Sequence, residues 1–141
     1  MDKTSLFLIV VLALTIANEE EIAKEFYKLL FASETIFHES HPIIQNNNTT
    51  PEVKLQHLDK IFAAEMVVMD YVNSVWNASM FQDTKLDMYN DFLKIRSMAD
   101  TYREKAPLIP NINTKIDLIQ DVLLELKMFT PTMEGEFKYP Y

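Results

Sequence analysis

Apolar residues recur every three or four positions in four stretches of this sequence, a spacing that places them on one face of an α-helix. The first stretch covers residues 19–40 and the second residues 50–80, while the third begins at residue 84 and the fourth runs from 114 to 129. The longest apolar face belongs to the second stretch: Leu55, Leu58, Phe62, Met69, Val72 and Trp76. No segment alternates between apolar and polar residues for long enough to predict a sheet. Because the polar connections are short, the pattern predicts an all-α fold, a four-helix up-down antiparallel bundle.

The predicted helix limits rest on capping residues and prolines. Thr50-Pro51 is a favourable start for the second helix, with threonine as the N-cap and proline in the first turn. Thr84 and Thr114 each precede an aspartate by three residues, which predicts the starts of the third and fourth helices. Since proline lacks the N–H that a helix needs, Pro42 and Pro131 are expected to end the first and fourth helices.

Residues 1–17 read as a cleaved signal peptide. Lys3 precedes an apolar run over residues 6–17, and Ala17 is followed at once by polar Asn18 and three glutamates. The run would span roughly 18 Å as a helix, whereas a bilayer core needs about 30 Å. A signal anchor and a helix of the mature domain are the alternatives. We therefore expect a secreted, extracellular protein with a helical domain at residues 18–129 and an extended or mobile C-terminal tail at residues 130–141.

The composition narrows the classes of function. The net charge is −8, and loss of residues 1–17 would remove one acidic and one basic residue and leave it unchanged. Such an acidic surface repels phosphate backbones and anionic lipid, so we expect no nucleic-acid partner. The absence of cysteine excludes disulfides, thiolate metal sites and cysteine nucleophiles. The single glycine leaves no phosphate-binding glycine loop.

Three asparagines lie in N-glycosylation acceptor triplets. Asn47 and Asn48 belong to overlapping triplets in the polar connection before Thr50, and Asn77 lies late in the second predicted helix. The overlap allows modification of at most one of the first two. Use of Asn77 requires that it face solvent.

Glu34, His38 and His41 are the one weak candidate for a metal site. Their spacing of four and three residues places two imidazoles and a carboxylate on one helix face, a donor set that suits zinc. His57 could join them from the second helix. The simpler interpretation is a set of polar side chains at an exposed helix end, so we predict no metal and no cofactor.

Glu65 and Arg96 interrupt the apolar faces of the second and third helices. A buried carboxylate without a partner costs several kcal/mol or takes up a proton. An interhelical Glu65–Arg96 pair would satisfy both residues and set the register of the bundle. Glu65 could instead anchor a ligand in an apolar cavity, or both residues could lie at the edge of the core.

No enzymatic motif stands out, since nucleophilic serine motifs are absent and the histidines have no partner implied by spacing. The sequence favours a secreted, non-enzymatic helical protein that acts by binding a protein partner, extracellular or on a cell surface. The alternative is an extracellular carrier of a hydrophobic small molecule or lipid between the helices. The eight methionines and nine phenylalanines suit either one, because methionine is common both in irregular cores and on adaptable binding surfaces.

Overall fold

The computed structural model describes residues 3–75 and 86–137. These residues form α1 (Lys3–Gln45), α2 (Pro51–Val75), α3 (Leu86–Lys105), a short 3₁₀ turn (Ala106–Leu108) and α4 (Ile112–Glu136). The described part of the chain contains no strand, which confirms the all-α prediction. The predicted cleavage point after Ala17 lies within α1.

The connection between α1 and α2 is short and locally hydrogen bonded. The Asn48 N–H donates to the side-chain oxygen of Asn46 at 2.9 Å, which closes a turn directly after α1. The Val53 N–H donates to the Thr50 hydroxyl at 3.3 Å, and Pro51 is the first residue of α2. The predicted Thr50-Pro51 start of this helix is therefore confirmed.

Neither proline ends its helix, and both predicted ends were wrong. Pro42 lies inside α1, which continues to Gln45, and Pro131 lies inside α4, which continues to Glu136. A proline inside a helix costs about 3 kcal/mol, but residues beyond each proline reach the core. Ile44 follows Pro42, and Met133 and Phe137 follow Pro131; all three are buried. Their burial offsets the lost backbone hydrogen bonds.

The prediction of an extended or mobile tail at residues 130–141 is therefore wrong for residues 130–136. Residues 130–136 are helical rather than extended, and Phe137, directly after the helix, is fully buried. Its N–H donates to the Met133 carbonyl at 3.1 Å. Residues 138–141 lie outside the described residues, so the prediction is untested there.

The start of α4 also differs from the prediction. Asn111, not Thr114, is the N-cap, and its side-chain oxygen accepts hydrogen bonds from the Asn113 and Thr114 N–H groups at 2.9 and 3.4 Å. Asparagine is among the strongest N-cap residues. The predicted start of α3 at Thr84, together with Trp76 and Asn77, falls outside the described residues.

One hydrophobic core joins all four helices. α1 packs on α2, and α4 packs on both α2 and α3. Aromatic side chains connect helices at several levels: the rings of Phe26 and Phe137 stack with centroids 4.2 Å apart, and Phe62 meets Tyr102 edge-on at 5.1 Å. The largest fully buried side chains come from every helix: Phe26, Met66, Met69, Phe92, Ile119, Leu126, Met133 and Phe137.

Hydrogen bonds between helices supplement this packing. His57 Nδ1 lies 3.1 Å from the buried Ser40 hydroxyl, which joins α2 to α1. The Tyr71 hydroxyl donates to the Ile22 carbonyl at 3.4 Å, joining the same two helices further along. The Tyr27 hydroxyl donates to the Glu134 carbonyl at 3.3 Å and joins α1 to α4.

Candidate functional site

Glu65 and Arg96, expected to pair across helices, have different neighbours in the structure. Arg96 reaches Asp70 on α2, with one guanidinium nitrogen 2.6 Å from a carboxylate oxygen. Asp70 is half exposed, whereas the Arg96 side chain is mostly buried and its other terminal nitrogen has no hydrogen-bond partner. Glu65 lies five residues, more than one helical turn, before Asp70 on α2. The interhelical pair is thus Arg96–Asp70, and the predicted Glu65–Arg96 pair does not form.

Glu65 is half-buried and lacks a salt bridge among the described side chains. Burial raises the pKa of its carboxyl group, and the neighbouring Glu34 carboxylate on α1 raises it further. The Ser33 hydroxyl and the Lys127 ammonium act in the opposite direction on this pKa. Ser33 faces Glu65 without reaching hydrogen-bond geometry, since its buried oxygen has no hydrogen-bond partner. Glu65 is therefore a carboxyl group whose ionised form is incompletely compensated.

A cleft opens in front of Glu65, between α1, α2 and α4, with a volume of about 290 Å³. Its walls are apolar and come from all three helices: Phe37, Ile44, Leu58, Ile61, Leu123 and Leu124. Besides Glu65, the polar side chains of His41, Gln45, Gln120 and Lys127 also line the cleft. Apolar walls with a few polar groups are typical of small-molecule sites. The structure places Glu65 in the apolar surroundings that the ligand-anchor hypothesis requires.

Lys127 contributes charge at the same cleft. Its ammonium nitrogen lies 3.9 Å from the centre of the Phe37 ring, within the range of a cation–π contact between α4 and α1. It is therefore held over an aromatic ring and is not within salt-bridge distance of Glu65.

A second surface feature, here called the α3–α4 groove, lies on the opposite face of α4. It consists of two adjoining depressions of about 210 and 350 Å³ that share Met98. Met98, Leu118 and Met128 supply exposed apolar surface along it, with Met128 two-thirds exposed. Charged side chains flank these residues: Asp91, Lys94, Lys105, Asp121 and Glu125. The sequence identified the methionines but could not separate these exposed ones from the buried Met66, Met69 and Met133.

Asp59 and Tyr102 form a polar contact that sequence reasoning missed. The Tyr102 hydroxyl on α3 donates to the Asp59 carboxylate on α2 at 3.4 Å. Burial and the adjacent carboxylate raise the pKa of Tyr102 to about 12, while burial raises the pKa of Asp59 despite this hydrogen bond. A tyrosine on an apolar helix face needs a partner for its hydroxyl, which is the signal that could have pointed to this contact.

The weak metal candidate is not assembled in the described part of the chain. Glu34, His38 and His41 are exposed on α1, and the rings of both histidines pack near Phe37. His57 contacts Ser40 instead of joining them. No group of three or more histidine, aspartate or glutamate residues is placed to hold a metal ion among the described residues.

The predicted glycosylation residues divide between described and undescribed parts. Asn47 and Asn48 are exposed in the turn between α1 and α2, whereas Asn77 lies outside the described residues.

Comparisons of this chain with protein-family models, with curated proteins and with solved structures find no match. Within residues 3–75 and 86–137, no helix combines the length and the apolar character needed to cross a membrane.

Proposed function

We propose that this protein is a secreted, non-enzymatic binding protein that engages an amphipathic helix of a protein partner in the α3–α4 groove. The exposure of Met98, Leu118 and Met128 in two adjoining depressions carries the proposal. Single exposed apolar residues are ordinary, but apolar residues gathered in one groove with a charged rim mark an interaction surface.

The groove has the dimensions of a helix-binding site. On α3 it extends from Asp91 to Lys105, roughly 21 Å along the helix axis. A partner helix of about 14 residues covers this distance and presents apolar anchors at three- and four-residue spacing. Methionine side chains adjust to such anchors because they are unbranched and flexible.

The charges around the α3–α4 groove favour a basic partner. Three carboxylates and two ammonium groups flank the groove, and the whole chain carries a net charge of −8. A partner helix with basic residues beside its apolar face therefore gains from electrostatic steering.

Signal-peptide cleavage after residue 17 and an extracellular location are part of this proposal. They rest on the basic start, the apolar run and the small residue at position 17. Modification of Asn47 or Asn48 fits the same location, since both side chains are exposed at the end of the α1–α2 pair.

The proposed topology is an up-down antiparallel bundle. Its support is that contacts between neighbouring helices pair early residues of one with late residues of the next. The pairs are Ile22–Tyr71 and Ser40–His57 for α1 and α2, Asp59–Tyr102 and Asp70–Arg96 for α2 and α3, and Tyr27–Glu134 and Phe37–Lys127 for α1 and α4.

The test compares Met128→Asp with Val67→Asp, an apolar position on α2 outside the groove that is also more than half exposed. The mature protein is crosslinked to extracellular and cell-surface proteins, and each captured protein is then purified and titrated directly. We expect one partner whose Kd rises at least about tenfold with Met128→Asp, because burying an unpaired carboxylate in the interface costs more than 1.4 kcal/mol. Val67→Asp should leave that Kd unchanged. Equal binding by both variants, or no saturable partner at all, would overturn the proposal.

A further inference from the structure

The cleft between α1, α2 and α4 has no role in the proposed function, because it lies on the other face of α4 from the α3–α4 groove. It combines three features that suit a ligand site: apolar walls, open access and a half-buried carboxyl group without a salt bridge. Polar groups in protein interiors are normally satisfied by partners. The Glu65 carboxyl group therefore has room for a partner supplied by a ligand.

We propose that this cleft binds a small primary amine with an apolar body, its ammonium group against Glu65 and its body between Leu58, Ile61 and Leu123. Nothing in this site depends on the function proposed for the α3–α4 groove.

The charges around the cleft favour a cation over an anion. Glu65 and the nearby Glu34 are the two acidic groups that act on this end of the cleft, and Lys127 is the basic one. Lys127 is already engaged over the Phe37 ring. With Glu65 ionised, the two carboxylates and the one ammonium group leave one negative charge in excess near Glu65, which attracts an ammonium group and repels a carboxylate. A fatty acid is therefore disfavoured at the polar end of this cleft.

Ser33 supplies the second argument. Its hydroxyl oxygen is buried, has no hydrogen-bond partner and is near enough to Glu65 to affect its pKa, and Ser33 is not among the residues that line the cleft. When an ammonium group fixes Glu65 in its ionised form, a small adjustment brings the Ser33 O–H into position to donate to the carboxylate. Charge-assisted hydrogen bonds of this type are among the strongest in proteins. The ligand would thus satisfy two polar groups that the protein alone leaves incompletely bonded.

The size of the cleft limits the ligand. A closed apolar cavity of about 150 Å³ holds one benzene molecule, and this cleft is about 290 Å³. It accommodates a body of one to two benzene volumes, such as a short alkyl chain or a substituted aromatic ring, but not a full-length phospholipid. Glu65 and Leu58 are seven residues apart on α2, so the cleft extends roughly 10 Å along this helix.

The experiment titrates the full chain with hexylamine, hexanol and hexanoate, which share one chain length and differ in the head group. Binding is followed by calorimetry and by methyl NMR shifts of Leu58 and Leu123. We expect hexylamine to bind at least about tenfold more tightly than hexanol, and hexanoate to bind more weakly than either. Tighter binding of hexanoate, or equal binding of all three probes, would overturn the proposal.

Two variants and a control assign the effect to the cleft. Glu65→Gln keeps the shape of the side chain and should remove the preference for hexylamine over hexanol. Leu124→Trp, at a position that is more than half exposed, should block the cleft and weaken both probes. Glu52→Gln makes the same charge change at an exposed site on α2 and should leave both affinities unchanged. An unaltered hexylamine affinity in Glu65→Gln would refute the assignment, whatever the outcome for the α3–α4 groove.

Discussion

Phe137 provides a sharp test of how the end of the chain is organised. It follows the last residue of α4, in a segment whose prolines and glycine predict an extended tail. In the structure its side chain is fully buried and stacks on Phe26 of α1 with the two rings 13° from parallel. A solvated residue in an extended tail and a buried residue in the core should lose very different amounts of unfolding free energy in Phe137→Ala.

The expected loss is about 3 kcal/mol. Replacement of a buried phenylalanine by alanine costs about 3–5 kcal/mol through lost transfer free energy and the cavity left behind. The lower end applies because Phe137 lies beyond the end of α4, where the backbone can partly relax into the cavity. About 0.5–1.5 kcal/mol of this loss belongs to the ring–ring contact with Phe26. A domain of this size is stable by about 5–15 kcal/mol, so the variant should remain folded.

Urea unfolding followed by the helical circular-dichroism signal measures this loss directly. The ring–ring contribution comes from a double-mutant cycle of Phe26→Leu and Phe137→Leu, with a coupling energy of about 0.5–1.5 kcal/mol. The same cycle with Phe26 and Phe129, which is eight residues before Phe137, should give a coupling near zero. If Phe137→Ala changes the free energy of unfolding by less than about 0.5 kcal/mol, the residue is solvated and the reasoning from its burial is wrong.

Three further predictions concern polar side chains. Burial raises the pKa of Glu65 above its ordinary 4.5, so ionisation of this carboxyl group destabilises the folded state. The loss of folding stability grows as the pH rises through the raised pKa. Glu65→Gln should therefore increase the urea midpoint near neutral pH and not well below pH 4.5. Asn111→Ala should lower the free energy of unfolding by about 1 kcal/mol, because it removes the N-cap of α4. If Thr114→Ala caused a loss of that size and Asn111→Ala did not, the assignment of Asn111 as the N-cap would be wrong. Asp70→Asn should cost at most about 1 kcal/mol because the pair with Arg96 is partly exposed, and a loss that persists at high salt would contradict an ionic contribution.

The helices themselves were largely predictable because helical periodicity is a local property of the sequence. The spacing of Leu58, Phe62 and Met69 places them on one face, and all three are buried in the structure. The N-cap at Thr50 was equally readable, since a cap needs only a suitable side chain and the two or three residues after it. Thr114 fitted a local cap pattern too, but Asn111 offers the stronger cap three residues earlier.

The helix ends and the partners of polar residues could not be read in the same way. Pro42 and Pro131 each disfavour the helix around them. The helices α1 and α4 continue past these prolines because Ile44, Met133 and Phe137 are buried in the core that the other helices help to form. Glu65 was recognisable as a carboxyl group in an apolar stripe. Its position beside a cleft depends on how α1 and α4 pack against α2, and the spacing of residues along α2 does not predict that packing.

The sequence by itself determined that this chain is helical, acidic and free of cysteine chemistry, and which side chains share a helix face. Only the tertiary structure decided that Arg96 pairs with Asp70, that Met98 and Met128 are exposed while Met66 and Met69 are buried, and that Glu65 borders a cleft. The physical reason is that a repeat of 3.6 residues defines the face of a single helix, whereas contacts depend on the rotation and offset between two helices. Those are set by the packing of the whole core.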